Sequence, residues 1–158
     1  IFKQVAFSFA VAECAMELEH RDLHWGNILV SRTKEMRISF WLKGVEHKVP
    51  TNGVKATIID YTLSRFNFRN VHPMYQDLAK DPDLFLGSGD MQFDVYRQMK
   101  KDVANDWRKH VPKTNVRWLH YLLDKMLKKV KYQRKTAKVH KDNMVILQEI
   151  ESWIDTCD

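Results

Sequence analysis

Cysteine is nearly missing from this chain: of its 158 residues only Cys14 and Cys157 carry a thiol. Two cysteines so far apart make neither a metal-ligand spacing nor a disulfide framework, and they read as free thiols of a reducing compartment. Seven histidines are present, but none stands in an H-E-x-x-H or Cys/His pattern, so a zinc site has little support. Long apolar runs are missing as well. No stretch reaches the roughly 18 residues that a membrane-spanning helix needs. The fairly apolar segment 2–16 is interrupted by Lys3 and Glu13 and lacks a small-residue cleavage pattern, so it is not read as a signal peptide. Internal repeats and low-complexity segments are also lacking. Together these absences argue against a disulfide scaffold, a zinc module, a helical membrane protein and a solenoid.

What is present fits one globular domain over residues 1–158, with 44% hydrophobic and 29% charged residues. Because the first residue is Ile1 and not Met, the chain reads as a fragment or an excised domain. Its 26 Lys and Arg exceed its 20 Asp and Glu by 6, and the surplus is uneven. From Lys125 to Lys141 there are eight basic residues and no acidic one. Such a run attracts polyanions by neutralising phosphates, and the alternative is a solvated helix end and loop.

Periodicity predicts a helix over 2–18, where Val5, Phe9, Ala12 and Met16 recur at helical spacing. Ile28–Val30 reads as a short strand. The alternating run Arg37–Leu42, the break at Gly44 and the return at Val45–Val49 predict a hairpin. Pro50, Asn52 and Gly53 then make a turn before a β-branched strand, Val54–Ile59, that delivers Asp60 at its end. Residues 64–90 show no period and read as a long ordered loop. Asp90 is placed to cap a helix from Met91 to about Val103, with Phe93, Tyr96 and Met99 on one face. Further helices are expected over 115–130 and 140–156. This order suits an α+β, mainly helical architecture.

The strongest chemical signal is His20-Arg21-Asp22-Leu23-His24-Trp25-Gly26-Asn27, which matches the kinase catalytic-loop pattern H-R-D-L-x-x-x-N. Phosphoryl transfer needs a carboxylate to accept the proton of the substrate hydroxyl. It also needs an amide oxygen a few residues on to hold a magnesium ion on the phosphates. A tight loop with five positions from Asp22 to Asn27 supplies both. A second carboxylate, Asp60, follows a strand in Ile58-Ile59-Asp60-Tyr61-Thr62, where most kinases read D-F-G. A third, Asp94 in Asp94-Val95-Tyr96, stands near a helix start, where kinases carry an Asp that braces the catalytic loop. Favourable interaction with the helix dipole would explain Asp94 equally well.

The strings HRDLHWGN, IIDYTLSR, DLFLGSGDMQFDVYRQMKK and WLHYLLDKMLK resemble the haspin family of atypical protein kinases. His24 and Trp25 replace the Lys-Pro usual after R-D-L, D-Y-T replaces D-F-G, and no A-P-E motif closes the activation segment. The hairpin between Asn27 and Asp60 matches an insert of that family. The resemblance covers the chain to about Val130, and more loosely to its end. It implies a kinase C-terminal lobe with short strands after the catalytic loop and a β-hairpin insert. Asp22 would be the catalytic base, and His24 would shape the site around the substrate. Asn27 and Asp60 would hold magnesium and with it ATP. His20, Arg21 and Asp94 would support the loop. Asp81 and Asp83 would hold a substrate lysine, as paired carboxylates facing an ammonium can. They stand beside Pro82, so a solvated turn is the competing reading. The family's G-D-G-D loop is Gly87-Ser88-Gly89-Asp90 here, one carboxylate fewer.

The resemblance further implies a monomeric serine/threonine kinase that transfers the ATP γ-phosphoryl group to a histone tail in the nucleus, on chromosomes. Nucleosomal DNA would lie against the Lys125–Lys141 run, and no membrane is involved. The Gly-rich phosphate loop, the V-A-I-K lysine and its partner glutamate are not found in residues 1–158; they belong to an N-terminal lobe expected before Ile1. The alternatives are an inactive kinase-like interaction module and a nucleic-acid-binding module built on the basic run. The second is weakened because only Tyr132 offers a stacking ring there.

Overall fold

The computed structural model describes residues 1–68, 72–154 and 156. Cys14 is an exposed free thiol, while Cys157 lies outside the described residues. Among the described residues the architecture is α+β, with helices predominating over three two-stranded antiparallel pairs.

Helix α1 (Phe2–Met16) buries Phe2, Val5 and Phe9 on one face. It stops where Glu17 turns left-handed at φ 50° and donates its N–H to Glu13. Strands β1 (Ile28–Arg32) and β4 (Val54–Ile58) pair in the register Ile28↔Ile58 to Arg32↔Val54. Between them, β2 (Arg37–Leu42) and β3 (Val45–Pro50) form the expected hairpin. Lys43 and Gly44 both have positive φ, 49° and 80°, the backbone that a two-residue hairpin loop needs to match strand twist. The hairpin leans on α1 through Phe40, His47 and Phe7, whose rings lie 5.0–5.6 Å apart. Gln4, buried on α1, serves the open edge of β4: its amide nitrogen donates to Val54 O at 3.0 Å and its amide oxygen accepts Ala56 N–H at 2.8 Å.

Residues 64–90 are more structured than their lack of period suggests. They contain the short pair β5 (Arg65–Phe66) and β6 (Met74–Tyr75), and 3-10 turns at Leu78–Lys80 and Pro82–Phe85. Long-range partners impose this order: Arg65 and Glu19 exchange backbone hydrogen bonds, and the Arg65 guanidinium binds Glu17 and Arg108 O.

Helix α2 (Met91–Asp102) starts at the cap sequence predicted, with the Asp90 carboxylate accepting Gln92 N–H at 3.0 Å. It ends one residue short of Val103. Ala104 and Asn105 then turn left-handed, and Trp107 enters the core. Helix α3 (Lys113–Asp124) carries Trp118, Tyr121, Leu122 and Leu123 inward; the helix expected over 115–130 thus starts earlier and gives way to a π turn at Lys125–Lys129. Helix α4 (Lys138–Ile154) packs on α3 through Leu147 and Ile154. One core joins α1, α2, α3 and α4 around Leu23, the residue after Asp22. Among the described residues no helix is long and apolar enough to cross a membrane.

Candidate active site

The catalytic-loop string lies between α1 and β1 and is held from both sides by the core. His20, Arg21 and Leu23 are fully buried. The His20 ring bridges two backbone groups: Nε2 lies 3.0 Å from Ile59 O, and Nδ1 accepts Asp22 N–H at 3.3 Å. This pairing requires the neutral tautomer with its proton on Nε2. Burial drives the imidazole down from the ordinary 6.5 to about 4, so it stays neutral. Ser64 Oγ donates to His20 O at 3.0 Å.

Arg21 points away from the carboxylate that follows it. With φ at 65° it turns into the core. There its guanidinium pairs with Glu19 at 3.2 Å and donates to Trp107 O at 2.7 Å and Lys109 O at 3.0 Å. The remaining lone pairs of Glu19 accept Val111 N–H and Thr114 Oγ1 at 2.8 and 2.7 Å. A buried ion pair is tolerable only when its remaining valences are hydrogen-bonded in this way. It fixes the stem of the loop to the segment that leads into α3.

Asp22 emerges from this anchor into the site. Its Oδ1 accepts the Tyr96 hydroxyl at 2.5 Å. Asn27 Nδ2 donates to Asp22 O at 2.8 Å and reaches Asp22 Oδ2 at 3.4 Å. Burial pushes the Asp22 carboxyl above its ordinary range, and the Tyr96 hydrogen bond is the main influence the other way. His24 caps the 3-10 turn Trp25–Asn27, with Nδ1 accepting Gly26 N–H at 3.1 Å. Gly26 is needed because a Cβ there would sit 2.7 Å from the His24 ring.

Strand register brings the second carboxylate to the same place. Since Ile28 faces Ile58, the residues just before β1 and just after β4 are neighbours, and Ile59 N–H bonds Asn27 O at 3.0 Å. Asp60 comes next, at φ 62°. Its Oδ1 accepts Thr62 Oγ1 at 2.6 Å and Thr62 N–H at 3.3 Å, and these bonds hold the carboxyl below its usual range. Asn27 Oδ1 and Asp60 Oδ2 have no donor among the described residues, so two hard oxygens are available to a cation. Among the described residues no group of three or more His, Cys, Asp or Glu side chains could hold a metal. The two oxygens of Asn27 and Asp60 are donors of the kind that would hold magnesium, which binds through one or two protein oxygens and completes its shell with phosphates and water.

Among the described residues, Asp81 and Asp83 make no hydrogen bond or ion pair with the residues of this cluster. Both are exposed, Asp81 at the junction of the two 3-10 turns and Asp83 within Pro82–Phe85, and neither carboxylate has a hydrogen bond or ion pair among the described residues. The loop after them is tied to α2, where Arg97 Nη1 donates to Phe85 O and Gly87 O at 3.0 and 2.8 Å.

Asp94 corrects the expectation drawn for it. Its carboxylate is 63% exposed and pairs with Arg97 at 2.7 Å, one helical turn along, instead of bracing the catalytic loop. The reason is helical geometry: two residues along α2 is more than half a turn, and Val95, Tyr96 and Met99 form the buried face. The bracing comes from α3. Asn115 Oδ1 accepts His20 N–H at 3.2 Å, while its Nδ2 donates to Leu18 O at 2.7 Å and Glu13 Oε2 at 2.8 Å. Sequence reasoning gave no site role to Asn115, Tyr96, Glu19 or Thr62, although it placed Tyr96 on the apolar face of α2 and Thr62 in the motif after Asp60. For Tyr96 a signal existed, since a tyrosine on a buried helix face needs a partner for its hydroxyl.

A family model described as "Haspin like kinase domain" matches residues 1–158. The chain is 45% identical over 135 residues to the serine/threonine-protein kinase haspin of Mus musculus, covering 85% of this chain and 18% of that protein. It is 44% identical over 135 residues to the Bos taurus serine/threonine-protein kinase haspin, covering 85% and 17%. To the serine/threonine-protein kinase haspin homolog of Drosophila melanogaster it is 40% identical over 154 residues, covering 98% and 27%. The chain thus spans only 17–27% of the length of these relatives. Since that family model matches all of residues 1–158, the chain belongs to the haspin-like kinase family.

Proposed function

We propose that the protein containing this chain is a serine/threonine kinase and that residues 1–158 form the C-terminal lobe of its kinase domain. One observation carries the reading: the β1/β4 register sets Asn27 beside Ile59-Asp60, with Asn27 also hydrogen-bonded to Asp22. Asp22 accepts the proton of a threonine or serine hydroxyl as that oxygen bonds to the γ-phosphorus of ATP. The bond from that phosphorus to the bridging oxygen breaks, and ADP leaves with the electron pair. Asn27 and Asp60 would hold magnesium, which would supply charge neutralisation at the phosphates. His24 supports the reaction by holding the Asn27 turn.

The substrate in this reading is a basic histone tail, with Asp81 and Asp83 offering exposed carboxylates to a lysine. The work is done in the nucleus, on chromosomes. Nucleosomal DNA is the second partner, supported by the exposure of Lys129, Lys131, Arg134, Lys135, Lys138 and Lys141. Lys125 does not contribute to that surface. It is buried, pairs with Asp90 at 2.6 Å and lies over the Tyr121 ring at 4.9 Å.

The test is turnover by the full-length gene product with magnesium-ATP and a histone-tail peptide. Asp22→Asn lowers turnover by at least about a hundredfold, the scale of lost general-base help, with little change in ATP affinity. Near-normal turnover in that variant removes the assignment. A wild type that binds the tail without turnover is an interaction module instead.

A further inference from the structure

We infer that Tyr96 is a positioning residue for the phosphoryl transfer: its hydroxyl clamps one oxygen of Asp22 so that the other faces the substrate. The inference rests on the kinase reading above.

A general base must present one lone pair along one line, yet the terminal torsion of an aspartate is soft. Asn27 alone does not fix it. Its amide nitrogen is committed to Asp22 O at 2.8 Å and reaches Oδ2 only at 3.4 Å. Tyr96 holds Oδ1 from the opposite element at 2.5 Å.

The clamp is itself immobile. Tyr96 is 5% exposed on the inner face of α2. Its ring meets the edge of Trp118 at 5.4 Å, and Trp118, fully buried, meets Tyr121 at 5.4 Å. The phenol is therefore placed by the α2/α3 interface and not by a loop. Burial first, and then the Asp22 carboxylate, push ionisation of the phenol upward, so it remains a donor at working pH. A phenol that donates to Oδ1 satisfies that oxygen and leaves Oδ2 as the basic atom. The same tyrosine would serve as an anchor only if its hydroxyl merely sought a partner for burial.

Kinetics of the full-length protein separate the two roles. Tyr96→Phe keeps the ring and its packing. With the clamp lost, kcat falls about tenfold or more, the scale of a misplaced reacting group, while KM for ATP and for peptide stays within about twofold. In an Asp22→Asn background the same change has no further effect on turnover. Unchanged kcat in Tyr96→Phe, or an equal loss in both backgrounds, overturns the inference.

A second readout does not depend on turnover. The Tyr96 hydroxyl proton gives a solvent-protected, downfield NMR resonance in the wild type. It vanishes in Tyr96→Phe and moves upfield in Asp22→Asn, where a neutral amide faces the phenol. An active wild type without this resonance overturns the clamp. An inactive wild type that shows it fails the kinase reading and, with it, the positioning role, leaving the hydrogen bond as a structural feature.

Discussion

The side-chain oxygen of Asn115 on α3 accepts the backbone N–H of His20 at 3.2 Å, across 95 positions of sequence. The same amide group donates to Leu18 O and Glu13, so one buried side chain secures the chain on the way into the catalytic loop. Asn115→Ala leaves the His20 N–H and Leu18 O without partners in the core. An orphaned buried group costs about 1–3 kcal/mol, and two are exposed by this change, so a loss of at least about 2 kcal/mol is expected. Denaturant midpoints for the two proteins measure it. A loss under about half a kcal/mol would show that Asn115 does not bear the loop.

His20 predicts a pH dependence of stability. Its folded value, about 4, lies below the ordinary 6.5, so the unfolded chain binds the proton more readily. The contribution is therefore fully present above 6.5 and is lost as pH falls from 6.5 towards 4. A shift of this size corresponds to about 3 kcal/mol. His20→Gln removes the titration while keeping a donor and an acceptor. The stability advantage of wild type over this variant should shrink steadily from pH 7 to pH 4. A constant difference would mean that the ring does not titrate as its burial dictates.

The basic segment is testable through its salt dependence. Lys128 is already paired with Asp124 at 2.6 Å and Lys125 is buried with Asp90, so neither is a useful site for charge reversal. Reversal at Lys129, Lys131, Lys135 and Lys138 should weaken nucleosome binding and flatten its dependence on salt, because each lost phosphate contact releases about one counterion fewer. Turnover on a free tail peptide should stay close to wild type. Identical gel-shift titrations of the two proteins at two salt concentrations would leave the segment as a solvated surface.

The chemistry was legible in local patterns wherever local patterns decide it. The spacing from Asp22 to Asn27, the strand that ends before Asp60, the alternation of the hairpin and the cap at Asp90 all follow from neighbours within a few residues. Helix and strand periods and turn residues encode such features directly. What the chain does with its remaining polar residues was decided by packing. The helical period places Tyr96 on the inner face and leaves Asp94, two positions earlier, to solvent, but nothing local says that the Tyr96 hydroxyl reaches Asp22. Nothing local marks Asn115 as the brace, or Lys125 as the one cation of its run spent inside the protein. A buried backbone N–H, carboxylate or ammonium must find a partner, but which side chain supplies it depends on how α2 and α3 dock against the loop. That docking is set by large apolar side chains such as Trp118 and Tyr121, far along the chain from the groups they bring together.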